Sequence, residues 1–302
     1  MRKLANGLNC AVKSSSPQTI MMSGNKRSLY SIILGGGLKN KSMMNQHSFG
    51  KIGFNVMMMN NYSTSSSSTS TTPLFSPRYN VVVLDIEGTS TNTSYCRMIE
   101  VACARIVDGT SISSFTSLVN ADIDYIPEPV QEITKITKAM IDLSPPPQIV
   151  LSQLYNFLSS QPSLVVGHNV RFDASVIYNE FVRYKIINNE VHKPDDFISH
   201  SLFTNTLCTL KLARRLFQGQ PDYKLGNLVE NLGLGRSINA HRAHADVSMT
   251  TLLWRRIYRE SFERLGGEIY PDHEFFLKLQ ETPAKDVRKF IEMYKMEKTY
   301  GN

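Results

Sequence analysis

Val81-Val82-Val83-Leu84-Asp85-Ile86-Glu87 opens with four consecutive apolar residues, three of them β-branched, and then alternates acid, apolar, acid. A short continuous apolar run of this kind reads as a strand buried on both faces. Side chains two apart on a strand point the same way, so Asp85 and Glu87 project together from its end. Two like charges about 4 Å apart repel by roughly 4 kcal/mol at an effective dielectric near 20. A divalent cation relieves that repulsion, and hard carboxylate oxygens suit Mg²⁺ or Mn²⁺. A strand ending in solvent with two surface acids reads the same way, and the pair alone does not choose between the two.

Outward from this strand the text is that of a mixed α/β domain. Arg97–Val107 and Ser111–Val119 are strand candidates joined at Asp108-Gly109, which makes a three-strand meander with the first. Pro127–Thr137 reads as a helix, with proline suited to its first turn. Pro145-Pro146-Pro147 breaks the chain, and Ile149–Leu158 is amphipathic. Leu164-Val165-Val166 is a further short strand, followed by helices over Phe172–Tyr184, Cys208–Phe217, Lys224–Leu232 and Ala243–Leu265. Strands first, then strands alternating with helices, predict α/β architecture. Helical spacing recurs at Phe275–Leu279 and Val287–Tyr294, so residues 263–302 read as a helical extension to a domain spanning 79–262.

The net charge of +7 is a property of one end of the chain. Residues 1–84 hold no acid and nine basic residues; the remainder carries 24 basic against 26 acidic ones. The high isoelectric point therefore does not mark a nucleic-acid-binding face. Residues 1–78 are rich in Ser, Asn, Met and Gly, with a low-complexity run at Ser63–Thr72. Too little apolar surface is present there to offset ordering entropy. Basic, Ser-rich and acid-poor is also the composition of an organellar transit peptide, which predicts mitochondrial import; the alternative is a disordered, low-complexity tail with no address, on a cytoplasmic or nuclear protein. No apolar run approaches the ~18–20 residues that span a bilayer. Four cysteines without paired spacing predict neither a disulfide framework nor a zinc site.

Two further segments carry candidate chemistry. In Gly167-His168-Asn169-Val170-Arg171-Phe172-Asp173 a strand ends, the chain turns, and a helix opens with Asp173 in its first turn. The helix dipole alone favours an acid there, and His168 reads equally as a structural histidine. In His241-Arg242-Ala243-His244-Ala245-Asp246, His241 precedes a helix that contains Asp246. An imidazole can take a proton from water at neutral pH. His244 lies about 200° round the helix from Asp246 and reads as a surface residue.

Leu-Asp-Ile-Glu at 84–87, Gly-His-Asn-x-x-Phe-Asp at 167–173 and His-x-x-x-x-Asp at 241–246, in that order, resemble the three motifs of the DEDDh exonuclease superfamily, in particular its proofreading members in bacterial replicative polymerases. The likeness covers about residues 80–260. Supporting text includes Met98-Ile99-Glu100-Val101, Phe115–Pro127 and Tyr223-Lys224-Leu225. The resemblance implies a ribonuclease-H-like fold: a mixed five-stranded sheet flanked by helices. It implies metal-dependent hydrolysis from a 3′ end, releasing nucleoside 5′-monophosphates, with DNA favoured over RNA. Two divalent cations, Mg²⁺ or Mn²⁺, would be held by Asp85, Glu87, Asp173 and Asp246, with Asp85 bridging both. His241 would be the general base. Gly88, Thr89, His168, Asn169 and Phe172 would lie against the substrate, a single-stranded or frayed 3′ end. The chain either acts alone or associates with a protein partner through its C-terminal helices. The sequence departs from the family where Gly88-Thr89-Ser90 replaces the usual Thr-Thr-Gly: the first Thr side chain is lost, though Thr89 remains, in the segment that by the resemblance lies against the 3′-terminal nucleotide and bears on base grip and sugar preference. Alternative readings are an exonuclease-like module that binds ends or a partner without cutting, and an RNA-processing exoribonuclease.

Overall fold

Val81, Val82, Val83 and Leu84 are essentially inaccessible to solvent, because their strand lies at the centre of a sheet covered on both faces. The structure is a computed structural model describing residues 77–161, 164–187, 200–236 and 241–301. The basic leader, apart from its last two residues, lies outside the described residues, and so does its transit reading. The elements run β1 (Asn80–Gly88), β2 (Met98–Val107), β3 (Thr110–Leu118), α1 (Glu128–Thr134), α2 (Lys138–Asp142), α3 (Pro147–Ser159), β4 (Leu164–Gly167) and α4 (Arg171–Arg183). They continue with β5 (Thr206–Cys208), α5 (Thr209–Leu216), α6 (Leu225–Asn231), α7 (Ala243–Arg264), α8 (His273–Glu281) and α9 (Val287–Tyr300).

The five strands are ordered β3-β2-β1-β4-β5. β1 pairs antiparallel with β2 and parallel with β4, so the sheet is mixed. This is the ribonuclease-H-like architecture. Alternation along β1 divides the interior in two. Val81 and Val83 face a core shared with α5, α7, α8 and α9, whereas Val82, Leu84 and Ile86 face one shared with α3 and α4. Asp85 and Glu87 follow Val81 and Val83 in register, which aims them to the α7 side.

Two local readings differ from the structure. The helix expected over Pro127–Thr137 stops at Thr134, because Lys135 turns left-handed at φ 60° and its N–H bonds back to the Gln131 carbonyl. A second helix then starts with Thr137 as cap, its hydroxyl accepting from the Met140 N–H. The segment read as helix from Cys208 begins instead with β5, because its backbone extends the parallel pairing of β4 at Thr206–Cys208.

The C-terminal helices share the core of the sheet. Phe275, Phe276, Leu279, Val287, Ile291 and Tyr294 are buried with Val81, Val83 and Trp254. The ring of Phe276 lies 4.8 Å from that of Trp254 on α7. α8 also finishes the outer edge of β5: the Gln280 side chain accepts from the Cys208 N–H at 2.9 Å and donates to the Thr206 carbonyl at 3.1 Å. An uncovered edge would leave those groups open to other chains. Gln280→Ala is therefore expected to cost about 1–3 kcal/mol for each backbone group left unpaired. A thermal melt should show a drop of several degrees, and an unaltered melting temperature would mean that water replaces the amide.

Candidate active site

β1 ends in a bulge after Glu87, where the pairing with β2 shifts register. The site is built around this point. Gly88 sits directly under the buried thiol of Cys96: a Cβ here would lie 2.3 Å from the sulfur. The departure from the family pattern thus has a steric partner, since a threonine at 88 needs Cys96 moved. Thr89 is tied into the same loop. Its N–H donates to the Arg97 carbonyl at 3.0 Å, and its hydroxyl accepts from the Arg97 N–H at 2.9 Å.

Asp246 stands in the first turn of α7. Asp85, Glu87 and Asp246 each offer a carboxylate oxygen within 4.8 Å of the others. Asp173, in the first turn of α4, is 4% exposed and accepts the Ile86 N–H at 3.1 Å. Burial pushes all four acids upward. Asp85 is raised well above the usual range by burial and then by the charges of Asp173, Asp246 and Glu87. Glu87 is pushed up to about 8 by burial, with Asp246 and Glu100 adding to the rise. Asp173 and Asp246 are raised chiefly by burial. Such a cluster of hard oxygen donors, crowded and short of positive charge, fits divalent cations. Arg242, whose charge opposes the rise at Glu87, gives its guanidinium to another acid.

That acid is Glu100, to which none of the three motifs assigns a role. It is 1% exposed and lies opposite Glu87 in the β1–β2 ladder. It accepts from Arg242 Nη2 at 2.7 Å, Arg242 Nε at 3.0 Å and the Ala243 N–H at 3.0 Å. Ala243 is the first residue of α7, so Glu100 caps from the sheet a helix whose own N-cap side chain does not. His241 precedes this anchor with a left-handed backbone, φ 66°, and its N–H donates to Asp246 Oδ2 at 3.1 Å. Its exposed ring borders the cleft over the acids, while His244 is exposed on the helix. The signal for Glu100 was legible in principle: one acid in the otherwise apolar Met98–Cys103 needs a buried cation.

The remaining expected residues cluster at the β4–α4 turn. His168 borders the cleft, yet both ring nitrogens are engaged: Nδ1 with the Thr209 hydroxyl at 3.0 Å and Nε2 with the Tyr223 carbonyl at 2.9 Å. Burial lowers its pKa to about 4, so the ring stays neutral. Asn169 is exposed with φ 67°, and its carbonyl accepts the Phe172 N–H at 3.0 Å to start α4. Phe172 is half-buried and packs against the α3–α4 core. The cleft of about 650 Å³ joins Asp85, Asp246 and His241 to the Asp222–Asn227 turn. A cavity of about 540 Å³ at the other end of β1, between Tyr79, Trp254 and Phe276, contains none of the expected residues.

The crowded acids make a stability prediction for metal-free protein. Their folded-state pKa values exceed the unfolded ones near 4, so the fold binds more protons than the unfolded chain. Stability is then present at low pH and lost as pH rises from about 4 through about 8, where Glu87 ionises. Melting curves in EDTA should fall across that window. Asp85→Asn should flatten the fall and raise the melting temperature at the alkaline end. A lower melting temperature for this variant at every pH would assign Asp85 a structural role.

The exonuclease family model matches residues 82–253. The chain is 30% identical over 190 residues to the DNA polymerase III subunit epsilon of Aquifex aeolicus (strain VF5), covering 63% of this chain and 86% of the relative. It is 27% identical over 214 residues to the 3′-5′ exonuclease DinG of Bacillus subtilis (strain 168), covering 70% of this chain and only 21% of that one. Its fold is similar to that of E. coli Exonuclease I crystallised with a dT13 oligonucleotide, with a TM-score of 0.51 at 20% identity over 63% of this chain and 44% of the other. The ordered acids, the sheet order and the family match coincide, and the chain belongs to the exonuclease family as a DEDDh-type 3′→5′ exonuclease.

Proposed function

We propose that this chain trims single-stranded or frayed 3′ ends, hydrolysing the terminal phosphodiester to release nucleoside 5′-monophosphates, with DNA preferred over RNA. The observation that carries this reading is the convergence of Asp85, Glu87 and Asp246 within 4.8 Å. The preference for DNA is supported by a relative named as a DNA polymerase subunit and by a fold neighbour crystallised with a dT13 oligonucleotide.

Asp85, Glu87 and Asp246 would hold a divalent cation, Mg²⁺ or Mn²⁺, and Asp173, whose charge raises Asp85, would serve a second. Such ions, when bound, lower the pKa of the attacking water and offset charge on the leaving oxygen. The protein's own part is placement and proton transfer. β1 and α7 hold the three acids at one point before substrate arrives. His241 accepts the proton of the attacking water. Its backbone is fixed on one side by Asp246 and on the other through the Arg242–Glu100 pair. His168 keeps the Tyr223 turn attached to the end of β4. The reading places a partner surface on α9, where Met293, Met296 and Tyr300 are 59%, 61% and 80% exposed at helical spacing.

His241→Ala should lower the catalytic rate by roughly two to four orders of magnitude and flatten the acid limb of the pH–rate profile. His244→Ala should remain within a few-fold of wild type. Mononucleotide release from single-stranded DNA and RNA, followed side by side with Mg²⁺, reads both variants and the sugar preference. Activity that persists in excess EDTA, or the reverse order of the two histidines, would overturn the assignment.

The acid-free leader supports mitochondrial import. Residues 1–78 fused to a fluorescent protein should collect in mitochondria; a diffuse signal counts against the address.

A further inference from the structure

An exonuclease has to hold a polyanion beside a group of carboxylates. The acids of β1 and α7 repel every phosphate except those that cations neutralise, so the strand needs positive charge elsewhere in the cleft. Two residues supply it. Arg214 on α5 and Lys224 at the start of α6 are exposed, and both border the cleft that contains Asp85, His241 and Asp246. Among the described residues neither forms an ion pair. Several exposed cations elsewhere do so along their own helices, as in Arg259–Glu263, Lys278–Glu274 and Arg288–Glu292, but what sets Arg214 and Lys224 apart is their place at the rim of this cleft.

The mount of these two cations is rigid. Asp222 lies beside Lys224, but its oxygens are taken: Oδ1 accepts the Lys224 N–H at 3.0 Å and Oδ2 accepts from Asn227 Nδ2 at 2.6 Å. The Tyr223 carbonyl is bonded to His168 at 2.9 Å, and its hydroxyl donates to the Phe217 carbonyl at 3.1 Å. The Arg214 guanidinium stacks over the Tyr223 ring at 5.6 Å. The turn is thus tied both to β4 and to α5, and its side-chain charge is left over. Cationic side chains carried on a fixed turn and not ion-paired to a carboxylate are what recognition of a phosphate backbone needs.

We propose that Arg214 and Lys224 grip the phosphates that adjoin the scissile one, so that the cleft has an acidic wall for the reacting phosphate and a basic wall for the rest of the strand. The ligand is the sugar–phosphate backbone of a single strand, bound without regard to base. This rests on the exonuclease reading above.

The test is equilibrium binding of a fluorescein-labelled oligothymidylate, read by anisotropy over a range of salt. The full chain carrying Asp85→Asn serves as parent, so no cleavage interferes. Adding Arg214→Ala and Lys224→Ala should raise Kd by about tenfold or more. It should also reduce the slope of log Kd against log salt by about 0.7 for each phosphate that the variant no longer neutralises. The swap Arg214→Lys with Lys224→Arg should keep most of the slope. Arg259→Ala with Arg288→Ala, which removes the same charge from distant helices, should leave slope and Kd close to those of the parent. A slope and Kd for the Arg214/Lys224 variant equal to the parent's, or a weakening matched by the distant pair, overturns the proposal, as does a parent that fails to bind. Mononucleotide release by the unmodified chain with Mg²⁺ is measured separately. If release occurs and the basic wall proves inert, only this inference falls; without release, the exonuclease reading falls first.

Discussion

Mutual repulsion of the carboxylates at the end of β1 is the constraint around which the rest of this molecule is arranged. Each close pair of ionised acids costs several kcal/mol at the effective dielectric of a protein. The fold nevertheless brings Asp85, Glu87 and Asp246 within 4.8 Å and sets Asp173 behind them. Such crowding persists only on elements that cannot relax. β1 supplies one: it is central in the sheet, hydrogen-bonded on both sides and apolar on both faces. The strain stored in the charges is then available to whatever cation neutralises them.

The loops that carry the remaining groups are held by two buried glutamates. Glu100 grips Arg242 and the first N–H of α7, which sets His241 and Asp246 relative to β1. Glu180, 1% exposed, accepts from Arg97 at 2.8 Å, and Arg97 also bonds the Tyr184 hydroxyl. That second pair anchors the end of the loop running from Gly88 to Arg97. Buried ion pairs contribute little net stability against an apolar substitute, yet breaking one leaves an uncompensated charge. Their consistent effect in this fold is positional: each fixes a segment without regular structure next to the acids. The Gly88–Cys96 contact belongs to the same loop, where the thiol fills the space a side chain at 88 would need.

The sheet's outer edge and the cleft's far wall depend on parts that follow the motifs in sequence. Gln280 on α8 supplies the donor and acceptor that β5 lacks on its free side. Since β5 leads directly into α5, which carries Arg214, the C-terminal helices support the wall opposite the acids. Structural completion of the sheet and the shape of the cleft beside the acids are in this way a single packing problem.

The apolar run Val81–Leu84, the acids two apart after it and the order of the three motifs were enough to place a central strand and the candidate ligands, because alternation along a strand and position in a helix's first turn are local properties of the chain. The mixed sheet followed from the resemblance those motifs carry. The stop at Thr134 and the start of β5 at Thr206 were not legible, because a left-handed Lys135 and a strand only three residues long depend on neighbours distant in sequence. Glu100 could be seen as an anomaly in an apolar strand, but its partner stands 142 residues away. The same holds for the thiol under Gly88, for the two ring nitrogens of His168 and for the cations across the cleft. Sequence specifies which groups alternate, cap and turn; only the tertiary structure decides which charges meet, because a Coulomb interaction depends on separation in space and on burial, and neither is encoded in local spacing.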